Sequence, residues 1–213
     1  MAARDYGQYS GISRAMEIVG ERWALLIVRD LLVGPRRYGE LAAGLPRIPS
    51  NILAARLKEL QAAGVIRRAP RSRIIVYELT SYGRKLEPVV LALGAWGYRA
   101  LGDPRDEQVI TPDSMTMDLR TAFRPEAAER FPPTAYSGRF GQVELFIRVE
   151  GAHLDVTRGD GPADLAFVTD SGIRRLISGE MTADLAIESG VVEVVRGRVA
   201  LLDRFASAFH LAA

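Results

Sequence analysis

Ser50, Asn51, Ala54, Ala55 and Lys58 recur at helical spacing along the stretch PSNILAARLKELQAAG, residues 49–64. On a helix that spacing gathers them on one side, opposite the apolar stripe Ile52, Leu53, Leu57 and Leu60. Small residues let a helix approach a base-pair edge. Ser and Asn can exchange hydrogen bonds there, and Asn pairs well with adenine. Basic residues flank the stretch: Arg36 and Arg37, with Tyr38, come before it, and Arg71 and Arg73 come after it. In nucleic-acid-binding modules such arginines mostly meet phosphate oxygens. The chemistry is that of reading double-stranded DNA, although an ordinary solvent-facing helix can carry the same pattern. The neighbouring elements must decide between the two.

Other chemistries find little support. There is no cysteine, which excludes disulfides, thiol catalysis, thiol redox sensing and Cys-built zinc sites. His153 and His210 are the only histidines, too few for a typical His-rich metal site. No Ser/His/Asp order, phosphate-binding glycine loop or ligand cluster points to catalysis. No catalytic residue, metal ligand or cofactor is therefore expected, and the chain does not read as an enzyme.

The DNA-reading residues need a scaffold. Residues 12–19 read as a first helix, with Ser13 as a cap and Ile12, Met16 and Val19 inward. Residues 22–33 form a second, with Trp23, Leu26, Ile27 and Leu31 apolar almost all round, as befits a helix at the centre of a small domain. A short helix over 37–43, with Tyr38, Leu41 and Ala42 inward, leads through a turn into the central helix. Pro49 suits its start, and Gly64 its end, where positive φ is needed. Two short helices joined by a Gly- or Pro-bearing turn make a helix-turn-helix. A strand over 65–68, a basic turn over 69–73 and a strand over 74–79 follow. That hairpin reads as a wing reaching phosphates, or as a solvated hairpin with ordinary edge charges.

A long helix from Thr80 or Ser81 to Leu101 carries the apolar stripe Leu86, Val90, Leu93, Trp96 and Leu101, and Pro88 should kink it or start it afresh. The stripe is a candidate homodimer seam, or it packs within the chain. Charge divides the 213 residues in a similar place. Residues 1–104 carry 16 Lys/Arg against 9 Asp/Glu, and residues 105–213 carry 12 against 17. The first half thus has the surplus of a nucleic-acid binder. No run of ~18 apolar residues suggests a membrane span, and the N-terminus does not look like a signal peptide. A cytoplasmic protein without membrane association is expected.

The segments IVGERWALLIVRDLLVGPRRYGEL (18–41), NILAARLKELQAAGVIRR (51–68) and YELTSYGRKLEPVVLALGAWG (77–97) resemble the HxlR-type winged helix-turn-helix transcription regulators. The similarity covers nearly all of residues 10–101. It implies a homodimer on a roughly palindromic operator, with the central helix in the major groove and the basic hairpin as the wing. Two features depart from that family. Many members carry a cysteine ahead of the first helix where this chain has Ser10, so thiol sensing is closed, and the wing is shorter than usual.

Residues 102–112 read as a linker, which divides the chain into 1–104, a DNA-binding domain with its dimerisation helix, and 105–213. One or two short helices over 114–131, interrupted by Pro125, precede strands near 143–149, 154–157 and 163–168. Helices over 172–178 and 182–188, a strand over 191–195 and a final helix over 200–211 complete an α+β class. ADLAFVTDSGIRRLISGEMTADLAIESGVVEVVRG, residues 163–197, is similar to the sterol-carrier-protein type of domain. The resemblance implies an apolar tunnel for a hydrophobic small-molecule effector, with Phe167, Ile173, Leu176, Ile177, Met181, Leu185, Phe205 and Phe209 as lining. The same residues could simply fill a core. The leading function is a ligand-responsive DNA-binding regulator. The alternatives are a second domain that only dimerises, and a hydrophobic-ligand carrier with a helical appendage.

Overall fold

The computed structural model describes residues 5–105 and 107–211. They form two compact units, divided between Val90 and Leu91. The first contains α1 (Gly11–Val19), α2 (Ala24–Val33), α3 (Tyr38–Gly44), α4 (Ser50–Ala62), β1 (Ile66–Arg71), β2 (Ile74–Leu79) and α5 (Ser81–Arg84). The division falls inside α6 (Glu87–Tyr98) rather than in the polar segment that follows it.

Helix α2 is the hub of the first unit. Ala24, Ile27, Val28, Leu31 and Leu32 are buried on it, and they share the core with Leu41 of α3 and Leu53, Leu57 and Leu60 of α4. Each large side chain removed from water in this way contributes ~1.5–3 kcal/mol. Trp23 is not part of α2. It stands just before it with φ +81°, a left-handed conformation that is strained for an aromatic residue. Helix α1 buries Ser13 and Val19, while Ile12 and Met16, expected inward, are 78% and 45% exposed. Ser13 lies within the helix and donates to the Gln8 side chain at 2.9 Å, so it is not the cap; Ser10 occupies that position. Leu26 and Tyr38 also face outward, at 39% and 37% exposure.

The hairpin is tighter than the sequence suggests. Its strands pair in register from Ile66↔Leu79 to Arg71↔Ile74, which leaves only Ser72 and Arg73 to turn. Ser72 takes φ +56° there. Ala69, Pro70 and Arg71 belong to β1, and a bridge between Arg36 and Tyr77 adds a third short edge. The stretch after the hairpin is not one long helix. Thr80 caps α5 by accepting from the Gly83 N–H at 3.1 Å, and its hydroxyl donates to the Gly64 carbonyl at 2.7 Å. A Cβ on Gly83 would meet the Val65 carbonyl oxygen at 2.1 Å, so α5 sits against that backbone only because residue 83 is glycine. A fresh helix, α6, then starts at Glu87 with Pro88 in its first turn, where the missing N–H costs nothing.

The second unit holds α7 (Pro112–Ala122), α8 (Pro125–Ala128), β3 (Thr134–Phe140), β4 (Val143–Glu150), β5 (His153–Arg158), β6 (Leu165–Thr169), α9 (Ile173–Ile177), α10 (Ala183–Glu188), β7 (Val192–Gly197) and α11 (Ala200–Ala208). Its strands form one sheet in the order β5-β4-β3-β6-β7. Only β3 and β6 run parallel; the other pairings are antiparallel. Alternation puts Tyr136 and Phe140 of β3, Leu145 and Ile147 of β4, and Leu165 and Phe167 of β6 inward. They meet Leu119 of α7, Leu176 and Ile177 of α9, and Leu202 and Phe205 of α11 in one core. The chain's last turn closes that core. His210 N–H donates to the Ala122 carbonyl and Leu211 N–H to the Ile177 carbonyl, both at 2.8 Å.

Candidate functional site

Helix α4 presents the face expected of it. Ser50, Asn51, Ala54 and Lys58 are exposed and Ala55 is half-buried, while Leu53, Leu57 and Leu60 anchor the opposite side. Gly64 follows with φ +74°. Two contacts fix the helix in place. The Tyr38 hydroxyl donates to the Ser50 carbonyl at 2.8 Å, tying α3 to the first turn of α4. Arg56, only 11% exposed along its side chain, reaches Glu21 at 3.1 Å and also pairs with Glu59. Tyr38 and Arg56 therefore serve as struts behind the exposed face.

The basic residues divide into engaged and unengaged groups. Arg36 is half-buried. Its backbone pairs with Tyr77, and its guanidinium donates to the Pro35 carbonyl at 2.9 Å. Arg37 is exposed at the N-terminus of α3, where its N–H donates to the Glu40 carboxylate at 2.6 Å. Arg71, expected at a basic tip, ends β1 instead, and its guanidinium bonds Glu78 at 2.9 Å. Arg67 reaches the other oxygen of Glu78 at 2.7 Å. Arg73 stays in the turn and is exposed, as is Arg68. Sequence reasoning passed over Glu78. The signal was its alternation with Val76, which places both on the inward face of β2.

Leu86, just before α6, and Val90 on it are half-buried, whereas Leu93 and Trp96 are 45% and 76% exposed. Val89 is exposed as well, so Val89, Leu93 and Trp96 line one helical face.

The eight residues expected to line a tunnel separate into two sets. Phe167, Ile173, Leu176, Ile177, Met181, Phe205 and Phe209 are buried, whereas Leu185 is 46% exposed and faces out from α10. The rings pack on one another: Phe167 on Phe205 at 5.2 Å, Phe205 on Phe209 at 4.6 Å and Tyr136 on Phe205 at 5.3 Å between centroids. Phe140 and Phe167 also occupy the place a Cβ on Gly138 would take. Burial pushes the Tyr136 hydroxyl up to about 12, against a hydrogen bond with Thr134 that lowers it. An open cleft of about 530 Å³ lies elsewhere, between α8, α10 and α11. Leu176 and Met181 form part of it, together with His210 and with Arg124, Arg130 and Asp203, which sequence reasoning did not single out. His210 lies against Gly179, whose Cβ would fall 2.5 Å from the imidazole Cε1.

No helix among the described residues is long and apolar enough to cross a membrane. No group of three or more His, Asp or Glu among them could hold a metal ion.

Residues 18–104 match the family described as HxlR-like helix-turn-helix. An uncharacterized HTH-type transcriptional regulator of Bacillus subtilis, YvaP, is 38% identical over 86 residues, which are 39% of this chain and 80% of that protein. A regulator of Mycobacterium tuberculosis with the same description is 38% identical over 112 residues, 51% of this chain. That match spans 65% of the mycobacterial protein, just under two thirds of its length. Among solved structures, quinone-bound YodB of B. subtilis is 33% identical, with a TM-score of 0.37 over 41% of this chain and 96% of its own.

Proposed function

This chain belongs to the HxlR-like helix-turn-helix family, and from that premise we propose a sequence-specific DNA-binding regulator of transcription. In this reading it acts as a homodimer and responds to a hydrophobic small molecule bound in its second unit. The observation that carries the proposal is the outer face of α4. Its Ser50, Asn51, Ala54 and Lys58 are exposed while the helix is braced from behind. Ser50, Asn51 and their helix neighbours read bases, with half-buried Ala55 allowing close approach. Arg37, Arg73 and Lys58 meet phosphates, and Arg36 and Tyr38 support the helix entry.

The homodimer reading rests on the exposed face of Val89, Leu93 and Trp96. A two-fold partner would set two α4 helices about one DNA turn apart, ~34–36 Å. The effector reading rests on residues 163–197, which we take as sterol-carrier-like, and on the cleft. Leu176 and Met181 give that cleft an apolar wall, and its charged rim is suited to a ligand with a polar end.

The primary test is recovery of genomic fragments bound by the purified chain, followed by footprinting of the best site. A protected palindrome is expected. Fragments of random sequence, with no protected site, would reject specific recognition. Sedimentation of Trp96→Glu tests the seam: monomer or unfolded chain is expected, and a stable dimer with normal DNA affinity moves the seam elsewhere. For the effector, thermal shift with hydrophobic ligands should follow RT ln(1 + [L]/Kd). The absence of any shift would leave the second unit as a dimerisation module.

A further inference from the structure

The wing carries four arginines, Arg67, Arg68, Arg71 and Arg73, but one glutamate holds two of them. Glu78 sits opposite Arg67 in the hairpin register and is buried. Arg67 approaches its Oε1 with both Nε and Nη2, each at 2.7 Å, so the guanidinium edge best suited to grip a phosphate is already occupied. Arg71 reaches Oε2 with Nη2 at 2.9 Å. With both guanidiniums in place the side chain of Glu78 is 8% exposed, so drawing either arginine to a phosphate gives up a charge-assisted hydrogen bond to that carboxylate. Removing the partner of a buried charge costs more than forming the pair returns. We propose that Glu78 withholds Arg67 and Arg71 from the DNA backbone, so that Arg68 and Arg73 alone carry the wing's phosphate contacts. The hydrogen bond from Arg71, then that from Arg67, holds the Glu78 carboxyl below the usual carboxylate range, so the clamp stays ionised at neutral pH.

Glu78 thereby limits how strongly the chain holds DNA of any sequence. A wing with four available arginines would bind non-specific duplex more tightly, because phosphate contacts carry no sequence information. Keeping two of them engaged inside the hairpin lowers that background and leaves base reading by α4 untouched. The inference rests on the DNA-binding reading above, and its test separates the two.

The affinity of the full chain for a random-sequence duplex is measured across potassium chloride concentrations, with Glu78→Gln, Arg71→Gln, Arg73→Gln and the double variant E78Q/R71Q. Each phosphate neutralised adds about 0.9 to the slope of log K against log salt. Glu78→Gln should tighten low-salt binding several-fold and steepen the slope by ~1–2. Arg71→Gln alone should leave the slope nearly unchanged, whereas Arg73→Gln should lower it by ~1. In the E78Q background, Arg71→Gln should remove ~1 again, and that dependence on the background is what a mere change of net charge would not produce. An unchanged slope in Glu78→Gln, or weaker binding with a shallower slope, overturns the inference; the second result would mean that Glu78 aims the arginines at phosphate. If Glu78→Gln does not fold, judged by circular dichroism, the Arg71→Gln and Arg73→Gln pair decides, and equal slope losses overturn the inference. A wild-type chain that binds no duplex at low salt rejects the DNA-binding reading itself.

Discussion

In the first unit the largest fully buried side chains are Ile27, Leu31, Leu41, Leu53, Leu57, Leu60 and Ile66. In the second they include Tyr136, Phe140, Phe167, Phe205 and Phe209. An aliphatic core of short helices is adaptable and small, and it leaves distinctive chemistry to the surface, on the α4 face and the wing. The second unit places its distinctive residues inside. Aromatic rings prefer edge and tilted contacts at set distances, and the chain Phe140–Phe167–Phe205–Phe209 follows that preference. The lesson is where to look for function: on the surface of the first unit, and beside the ring cluster of the second rather than within it.

The sharpest break of that contrast is Phe205→Ala. Phe205 touches Tyr136, Phe167 and Phe209, so its removal should cost ~3–5 kcal/mol. Chemical denaturation read by tyrosine fluorescence checks this. A loss below ~1 kcal/mol would mean that the site collapses and the rings are not what holds the second unit together.

Alkali offers a gentler probe of the same core. The Tyr136 hydroxyl is raised to about 12, from an ordinary value of 10.0. The folded state therefore keeps this proton where the unfolded chain has lost it. The resulting stability is fully present below pH 10 and fades as pH rises towards 12. Its size is ~2–3 kcal/mol at most. Denaturation midpoints between pH 9 and 12 should fall over that window in the wild type and less steeply in Tyr136→Phe. Parallel curves would show that Tyr136 does not couple to folding.

The smallest effect should come from the other side of the comparison. Asn51→Ala removes an exposed side chain, so folding stability should stay within ~0.5 kcal/mol. Specific DNA should lose ~1–3 kcal/mol and random DNA little. Equal losses on both would move the base-reading face off α4.

Much of the first unit was legible because its signals are local. Pro49, Gly64 and the spacing of Leu53, Leu57 and Leu60 define α4 without help from distant residues. The errors there have physical causes. Ile12 and Met16 have an apolar face with nothing in the described chain covering it, so periodicity could not show that it stays exposed. Arg71 looked like part of the turn because Pro70 is rare inside strands, yet an edge position accepts it. In the second unit, β4 and α9 fall where a strand over 143–149 and a helix over 172–178 were expected. Whether Phe167 and Phe205 line a void or fill it depends on ring packing across elements far apart in the chain. Spacing carries no such information. The cleft was invisible for the same reason, since Arg124, Met181 and His210 meet only in the folded unit.

The closing turn of the second unit also sets an order in time. Its backbone bridge joins Phe123 to Phe209, and Arg124 N–H donates to the Ala208 carbonyl at 2.8 Å. The first unit's hairpin instead joins neighbours, from Arg71 to Ile74 outward. A chain emerging from the ribosome at ~5–20 residues per second completes its early units first. The winged unit can thus fold while β3 still lacks its parallel neighbour β6 and α7 still lacks the segment that seals it. Until that last segment emerges, Phe123 has no Phe209 and Tyr136 no Phe205 to cover it. During that interval the nascent chain is most exposed to aggregation and to chaperones, after the exposed face of α4 has already formed.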